Sequence, residues 1–427
     1  MNIKKITFCV NTAKNEINHI KLLFQSFEKN LSTKEHEIIV FVDSDNQNTT
    51  EWLISQKEIF PNLKILKNKL PIPYGYQLNI NHMFSLAKND IVSYVQSDMV
   101  ICKNYDLEIL KHIEPNMIIC STRIEPPLHP SSGEKITYDF GLNPLDFDFE
   151  KFTNYAETQK TDRKTEFFFA PFSMYKDVWN SVGGHNSIFR RSREDTDILT
   201  RLVLNNVKIV QVWNALVYHF TCTSSRGLDW FNKNNQESQQ RLDLQNLADR
   251  IELGRFIRNW GYIEHSTQKR KYYEISAKIK GNINNLEKFY YIEQFFNKVY
   301  VDDNSIVDSL QKIYDDEHIA ANKLLDVEAG VWDKYKYMFN TLNSNQRVFK
   351  TNECNDEIVV EFNFSDFKEH HFNDFLINLQ HIIDQTDVGE FEYDYFNIFI
   401  KSKNDSSNMK IKITNPTIKQ EDLYLIL

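Results

Sequence analysis

A chain of 427 residues with 41% hydrophobic and 26% charged residues has the make-up of a soluble globular protein with room for roughly two to three domains, which excludes fibrous repeats and disorder. A formal net charge of −9 leaves no basic stripe for DNA or RNA, so nucleic acid is excluded as the main partner. The five cysteines are odd in number and lack paired spacing, which argues against a disulfide framework or zinc site and for a reducing, cytoplasmic setting.

The first third alternates apolar runs with helical patterns. ITFCVNT reads as a strand, a helix starts near Glu16, EIIVFVDSD is a second strand, and a helix starts near Thr50. NLKIL, a helix across Asn79 to Ala87 and the strand IVSYVQSD follow. Such alternation predicts a parallel sheet wrapped by helices, with ligands beyond the carboxyl ends of its strands. Thr12, Asp43, Asp45 and Asp98 fall at those ends. From 121 to 164 the Pro-Pro and Ser-Ser-Gly pieces predict irregular structure on the acceptor side of a site. Order returns with FFFAPFSMYKDVW, the Gly183-Gly184 turn, a helix through Thr196 to Leu204 and the strand VKIVQVWNALVYHF. These are assigned to the first domain.

Beyond Arg226 the pattern is helical and charged, and Gly261 with HSTQKRK reads as a helix stop and linker. The boundary is placed near 265: a first domain over 1–265, with a helical extension at about 228–262, and a smaller α+β domain over 266–427. Two similar strand-then-helix patterns are expected in the latter, followed by strands at EYDYFNIFIKS and MKIKITN. Its aromatic helices offer apolar surface that suits self-association into a homo-oligomer, acceptor docking, or the ordinary core of a helix-on-sheet layer. No stretch approaches the ~18 apolar residues of a membrane span, and the N-terminal apolar run is too short for a signal sequence, so no transmembrane segment is expected.

Three groups of residues could carry chemistry. Asp98 at a strand end and His219 at the end of a later strand suffice as protein ligands for Mg²⁺ or Mn²⁺ beside phosphate oxygens and water. Each alone reads as structural; their joint position favours a metal. Glu194 and Asp195 open a helix, where carboxylates suit the helix dipole whatever the function, and Arg190, Arg191 and Arg193 keep them ionised as a general base requires. Thr12, Glu16, Asp43 and Asp45 are placed to accept hydrogen bonds from a nucleoside. Neither a dinucleotide-binding glycine motif nor a P-loop is present.

In order and spacing, NTAKNE, VDSDN, LNINHMFSLAKNDIVSYVQSD, VGGHNSIFRRSREDTDILTRL and VYHF resemble the motifs of family 2 glycosyltransferases with the GT-A fold, over about residues 5 to 225. The resemblance implies a Rossmann-like, mostly parallel sheet with helices on both faces. Carried over, Thr12, Glu16, Asp43 and Asp45 contact the nucleoside, Asp98 and His219 take the metal, and Asp195 is the base with Glu194 beside it. Gln96 and Ser97 join the donor-binding set, and Arg226 in the flap-like HFTCTSSRG is a diphosphate ligand. Gln96 departs from the first Asp of the family's DxD motif, and Asn81 and Asn206 stand where glycine is common.

The implied activity is metal-dependent, inverting transfer of a sugar, of hexosyltransferase type, from a nucleoside-diphosphate donor. A UDP-sugar is favoured, and the acceptor is a glycan, lipid-linked or protein hydroxyl. A sugar-nucleotide nucleotidyltransferase is the alternative enzyme class, though the glycine-rich loop it needs is missing near the first strand. A degenerate, non-catalytic sugar-nucleotide-binding protein is the third reading, opposed by the retained acidic pair and His219.

Overall fold

The computed structural model describes residues 4–70, 73–189, 192–221, 249–250, 252–263, 267–302, 305, 309, 347–350, 354–415 and 417–426. The chain divides into two compact units: 1–186 with 205–242 and 413–427, and 187–204 with 243–412. The boundary expected near 265 therefore falls inside the second unit.

In the first unit the expected alternation forms β1 (Ile6–Thr12), α1 (Ile17–Asn30), β2 (Glu37–Val42), α2 (Thr49–Ser55), β3 (Leu63–Asn68), α3 (Tyr76–Leu86) and β4 (Ile91–Gln96). β5 (Met99–Ile101), α4 (Tyr105–His112), β6 (Met117–Glu125), β7 (Lys135–Thr137), α5 (Phe149–Gln159), β8 (Lys164–Thr165), β9 (Phe172–Tyr175) and α6 (Lys176–Ser181) follow, and β10 (Lys208–His219) closes the series. β2 is buried at every position, as a strand covered on both faces must be. α1 turns Ile20, Leu23, Phe24 and Phe27 inward at helical spacing and leaves Lys21, Gln25 and Glu28 outside.

The strands run in the order β3-β2-β1-β4-β9-β6-β10-β5, with β7 on β6 and β8 on β10. β1 pairs parallel with β2 and β4, β9 runs antiparallel to both β4 and β6, and β10 lies parallel to β6. The carboxyl ends of β1, β2, β4, β6 and β10 therefore share one edge. Beneath it, Asp106 is a buried anchor: His36 Nε2 lies 2.8 Å from its carboxylate, which also accepts from Ser32 N at 3.0 Å. Within the aromatic stretch 138–155, Phe140 and Phe152 are buried and pack against Tyr218.

The second unit opens with α7 (Glu194–Leu204) and contains β11 (Ser276–Lys280), α8 (Leu286–Glu293), β12 (Lys298–Val301), β13 (Val348–Lys350), β14 (Ile358–Asn363), α9 (Glu369–Ile377) and α10 (Leu379–Gln385). β15 (Gly389–Tyr393), β16 (Phe396–Ile400) and α11 (Ser407–Lys410) complete it. Its sheet runs β13-β12-β11-β14-β16-β15. Phe289, Ile292, Phe295 and Phe296 on one side of the sequence, and Phe375, Leu376, Leu379 and Ile383 on the other, are buried in its core. A buried Glu293 carboxylate receives Arg258 at 2.6 Å and Arg347 at 3.3 Å, which is how three charges persist in that core.

Two expected strands differ. EYDYFNIFIKS is a hairpin, because Asp394 at φ 55° turns the chain between β15 and β16. MKIKITN forms no ladder: its first residues end α11, where Lys410 reaches Asn259 O at 2.6 Å and lies over the Tyr272 ring. The strand near the C-terminus is instead β17 (Leu423–Ile426), which returns to the first unit and pairs antiparallel with β3. No helix among the described residues is long and apolar enough to cross a membrane.

Candidate functional site

The carboxyl edge of the first sheet is built around His219. The parallel register of β6 and β10 sets Ile124 beside Tyr218, which brings Glu125 next to His219 at the strand ends. His219 Nδ1 lies 2.7 Å from Glu125 Oε1. Burial alone would raise the Glu125 carboxyl, but hydrogen bonding and charge from His219, the charge of Arg123 and the Lys135 ammonium at 3.0 Å hold it well below the ordinary carboxylate range. An ionised Glu125 accepts only, so it takes the proton on Nδ1 and leaves Nε2 as the ring nitrogen that would bind a metal. Nε2 lies 3.8 Å from Asp98 Oδ2. The β4–β5 reversal places Asp98 there: Met99 pairs with His219, and Phe220 N donates to Asp98 O at 3.1 Å.

Two ligands of one small divalent ion, each ~2.1 Å from it, stand roughly 3–4 Å apart. A metal-binding histidine almost always gives its other N–H to a carboxylate, which is the part Glu125 takes. The pair thus fits a divalent ion completed by phosphate and water. Among the described residues there is no group of three or more His, Cys, Asp or Glu arranged to hold a metal by themselves.

Glu16 joins this cluster from the start of α1. Its Oε2 accepts from Ser97 Oγ at 2.8 Å and from Ala13 N at 2.9 Å. Burial, with the Asp98 charge adding to it, pushes its carboxyl up to about 7. His19, one turn on, is lowered by burial and stacks edge-on against Phe220. Gln96 ends β4 with its Oε1 buried and, among the described residues, without a hydrogen-bond partner.

Other predicted site residues also hold the backbone around them. The Asp43 carboxylate accepts from Tyr74 N at 2.8 Å, Gly75 N at 2.9 Å and Asn68 Nδ2 at 3.1 Å, which fixes the loop before α3, and burial raises its pKa. Thr12 is fully buried, and its carbonyl takes Asp43 N at 2.9 Å. Asp45 caps α2, accepting from Thr49 N and Thr50 N at 3.0 Å each; burial opposes its ionisation, but these donors bring its pKa to about 2.

Glu194 and Asp195 do open a helix, α7, but that helix belongs to the second unit. The reason is local. Asp197 Oδ2 accepts from Arg201 at 2.7 Å while its Oδ1 takes Trp260 Nε1 at 2.9 Å, and Leu204 packs in one cluster with Phe256, Trp260 and Tyr272. Asp197 is therefore a buried structural acid, Glu194 is buried, and Asp195 is half-exposed. Arg190, Arg191 and Arg226 lie outside the described residues. Asn81 ties α3 to the Gly183-Gly184 turn through Trp179 Nε1 at 3.1 Å and His185 N at 2.9 Å, and Asn206 occupies the left-handed region at φ 57°, which asparagine tolerates in place of glycine.

Glu125 is the residue that sequence reading missed. The one local signal was a carboxylate closing the mostly apolar strand MIICSTRIE directly before Pro-Pro.

No protein-family model matches the chain, and no curated protein matches it. Among solved structures it is similar to S. aureus TarS (15% identity, TM-score 0.38, covering 59% of this chain and 43% of that one). It is also similar to GalNAc-T7 with UDP, GalNAc and Mn²⁺ (14%, 0.39, covering 51% and 43%). A third is the mannosyltransferase PcManGT from Pyrobaculum calidifontis with GDP-Man and Mn²⁺ (13%, 0.38, covering 59% and 65%). The match spans less than half of the TarS and GalNAc-T7 chains.

Proposed function

We propose that the chain is a metal-dependent glycosyltransferase that moves a sugar, with inversion, from a nucleoside-diphosphate donor to an acceptor hydroxyl. The observation that supports this most is the Glu125–His219–Asp98 arrangement on the carboxyl edge of a parallel sheet, an imidazole held at Nδ1 by one carboxylate with its Nε2 3.8 Å from another. Held there, Mn²⁺ or Mg²⁺ supplies neutralisation for a leaving diphosphate. Asp98 and His219 hold the ion, Glu16 and Ser97 line the same edge, and Gln96 offers a buried acceptor to a donor hydroxyl. Asp43 acts through the backbone of residues 74–75, which it holds, and Asp195 is the base by resemblance to the family motif. A UDP-sugar is the first donor to try.

The test is hydrolysis and transfer across a panel of sugar nucleotides with Mn²⁺. Asp195→Asn is expected to lower transfer by about 10²- to 10⁴-fold with UDP affinity nearly unchanged, since a base acts in the transition state. An Asn variant at wild-type kcat beside an inactive Glu194→Gln moves the base to Glu194. Turnover of no sugar nucleotide by the wild-type chain sinks the reading.

A further inference from the structure

A cavity of about 180 Å³ opens beside Glu125, lined by Arg123, Lys135, Gln211, Phe167 and Phe169 among others. Its volume is on the scale of the cavities of about 150 Å³ that take up one small ring. The parallel register sets Arg123 directly opposite Lys135 on β6 and β7. Like charges so placed are destabilising, and Glu125 offsets the cost by bridging them, at 3.5 Å to Arg123 and 3.0 Å to Lys135. Arg123 is fixed further by donating to Ala170 O at 2.5 Å. Gln211 is locked by Thr165 at 2.7 Å and the Glu134 carbonyl at 2.6 Å. The polar wall is therefore pre-set, and five guanidinium N–H groups with three ammonium protons exceed what these internal bonds use.

Beside these polar groups the pocket lining is aromatic. Phe169 is 36% exposed, unusual for a phenylalanine beside a buried ion cluster. Its ring carries the Arg123 guanidinium 4.8 Å from its centre, and Phe167 lies 5.0 Å away, tilted. A pyranose has matching chemistry: a C–H surface that packs on an aromatic ring, and an edge of hydroxyls that accept from cations and donate to a carboxylate.

We propose that this pocket binds a single pyranose ring, with its C–H surface on Phe167 and Phe169 and its hydroxyls on Arg123, Lys135 and Glu125. The proposal rests on the sugar-transfer reading and names the substrate class for it; the ring belongs either to the acceptor or to the donor's own sugar.

Saturation-transfer NMR on the full chain, with the methyl glycosides of glucose, galactose and N-acetylglucosamine as probes, decides it. At least one glycoside is expected to show ring-proton saturation, and Phe169→Ala, a change at an exposed ring, is expected to weaken its binding about tenfold. Affinity for UDP with Mn²⁺, read by calorimetry on the same variant, is expected to stay unchanged. Displacement of the glycoside by a UDP-sugar but not by UDP assigns the ring to the donor, and no displacement assigns it to the acceptor. Saturation by none of the probes, or equal saturation in wild type and variant, overturns the pocket. Absence of UDP binding in the wild type fails the transferase reading instead, leaving the glycoside data to judge the pocket separately.

Discussion

The two sheets share an arrangement and differ in where they bury charge. In the first, β3-β2-β1-β4 run parallel and β9 lies antiparallel on β4; in the second, β13-β12-β11-β14 run parallel and β16 lies antiparallel on β14. The first gathers Glu16, Asp98, Glu125 and His219 at the carboxyl edge. The second puts its main polar knot at the amino ends, where Asp356, just before β14, accepts from Ser276 at 2.6 Å, Tyr300 at 2.8 Å and Lys298 at 3.1 Å. Among the described residues, its acids beyond the carboxyl ends, Asp302 and Asp366, are exposed. Strand order alone thus makes a crevice; a site needs polar groups buried in it against a desolvation cost.

The largest expected effect tests that distinction directly. Asp98→Ala, or chelation of the wild type, is expected to lower turnover by about 10³-fold and to abolish the Mn²⁺ dependence of UDP binding, while Asp302→Ala at the second sheet changes neither. Calorimetry with UDP, with and without Mn²⁺, reads both variants. Equal UDP affinity with and without metal in the wild type would remove Asp98 and His219 as ligands, and a loss in the Asp302 variant would erase the contrast between the sheets.

Next comes the buried anchor beneath the first sheet. Asp106→Ala leaves His36 and the Ser32 N–H without their carboxylate and is expected to cost ~3 kcal/mol. Burial alone would raise the Asp106 pKa, but His36 and Ser32 bring it below its ordinary value. A lowered folded pKa gives stability that is present above the unfolded value of about 3.9 and is lost as pH falls through the folded one. Urea unfolding between pH 3 and 7 checks this: the wild type should lose stability toward acid more steeply than the variant.

The smallest effect belongs to the second sheet. Asp394 holds φ 55° in the β15–β16 turn, so Asp394→Gly is expected to raise stability by at most ~1 kcal/mol, seen as a small rise in Tm with the fold unchanged.

Periodicity carried the first sheet, because each strand-and-helix pair announces itself within a few residues. Thr12, Asp43, Asp98 and His219 were legible at strand ends for the same reason. What each strand-end acid does was not. Asp45 serves Thr49 and Thr50, a capping relation present in DSDNQNTT but overshadowed by its place after a strand. The role of Glu125 was hidden because its partner sits on a strand far along the chain, and only the parallel register of β6 and β10 makes them neighbours. The side of the division on which α7 falls depended on Trp260 and Arg201 meeting at Asp197, a three-way contact that no local pattern encodes.

The return of β17 to β3 bears on how the chain emerges during synthesis. Nearly the whole second unit is translated between β10 and β17, so the ribosome releases the first sheet with one edge still open. An unpaired edge is a template for pairing with another molecule. Translation speed and chaperone cover through the later residues then bear on the first sheet as much as on the second. A shortened chain stopping near 265 would keep that edge open permanently, and its loss of activity would report aggregation before it reported chemistry.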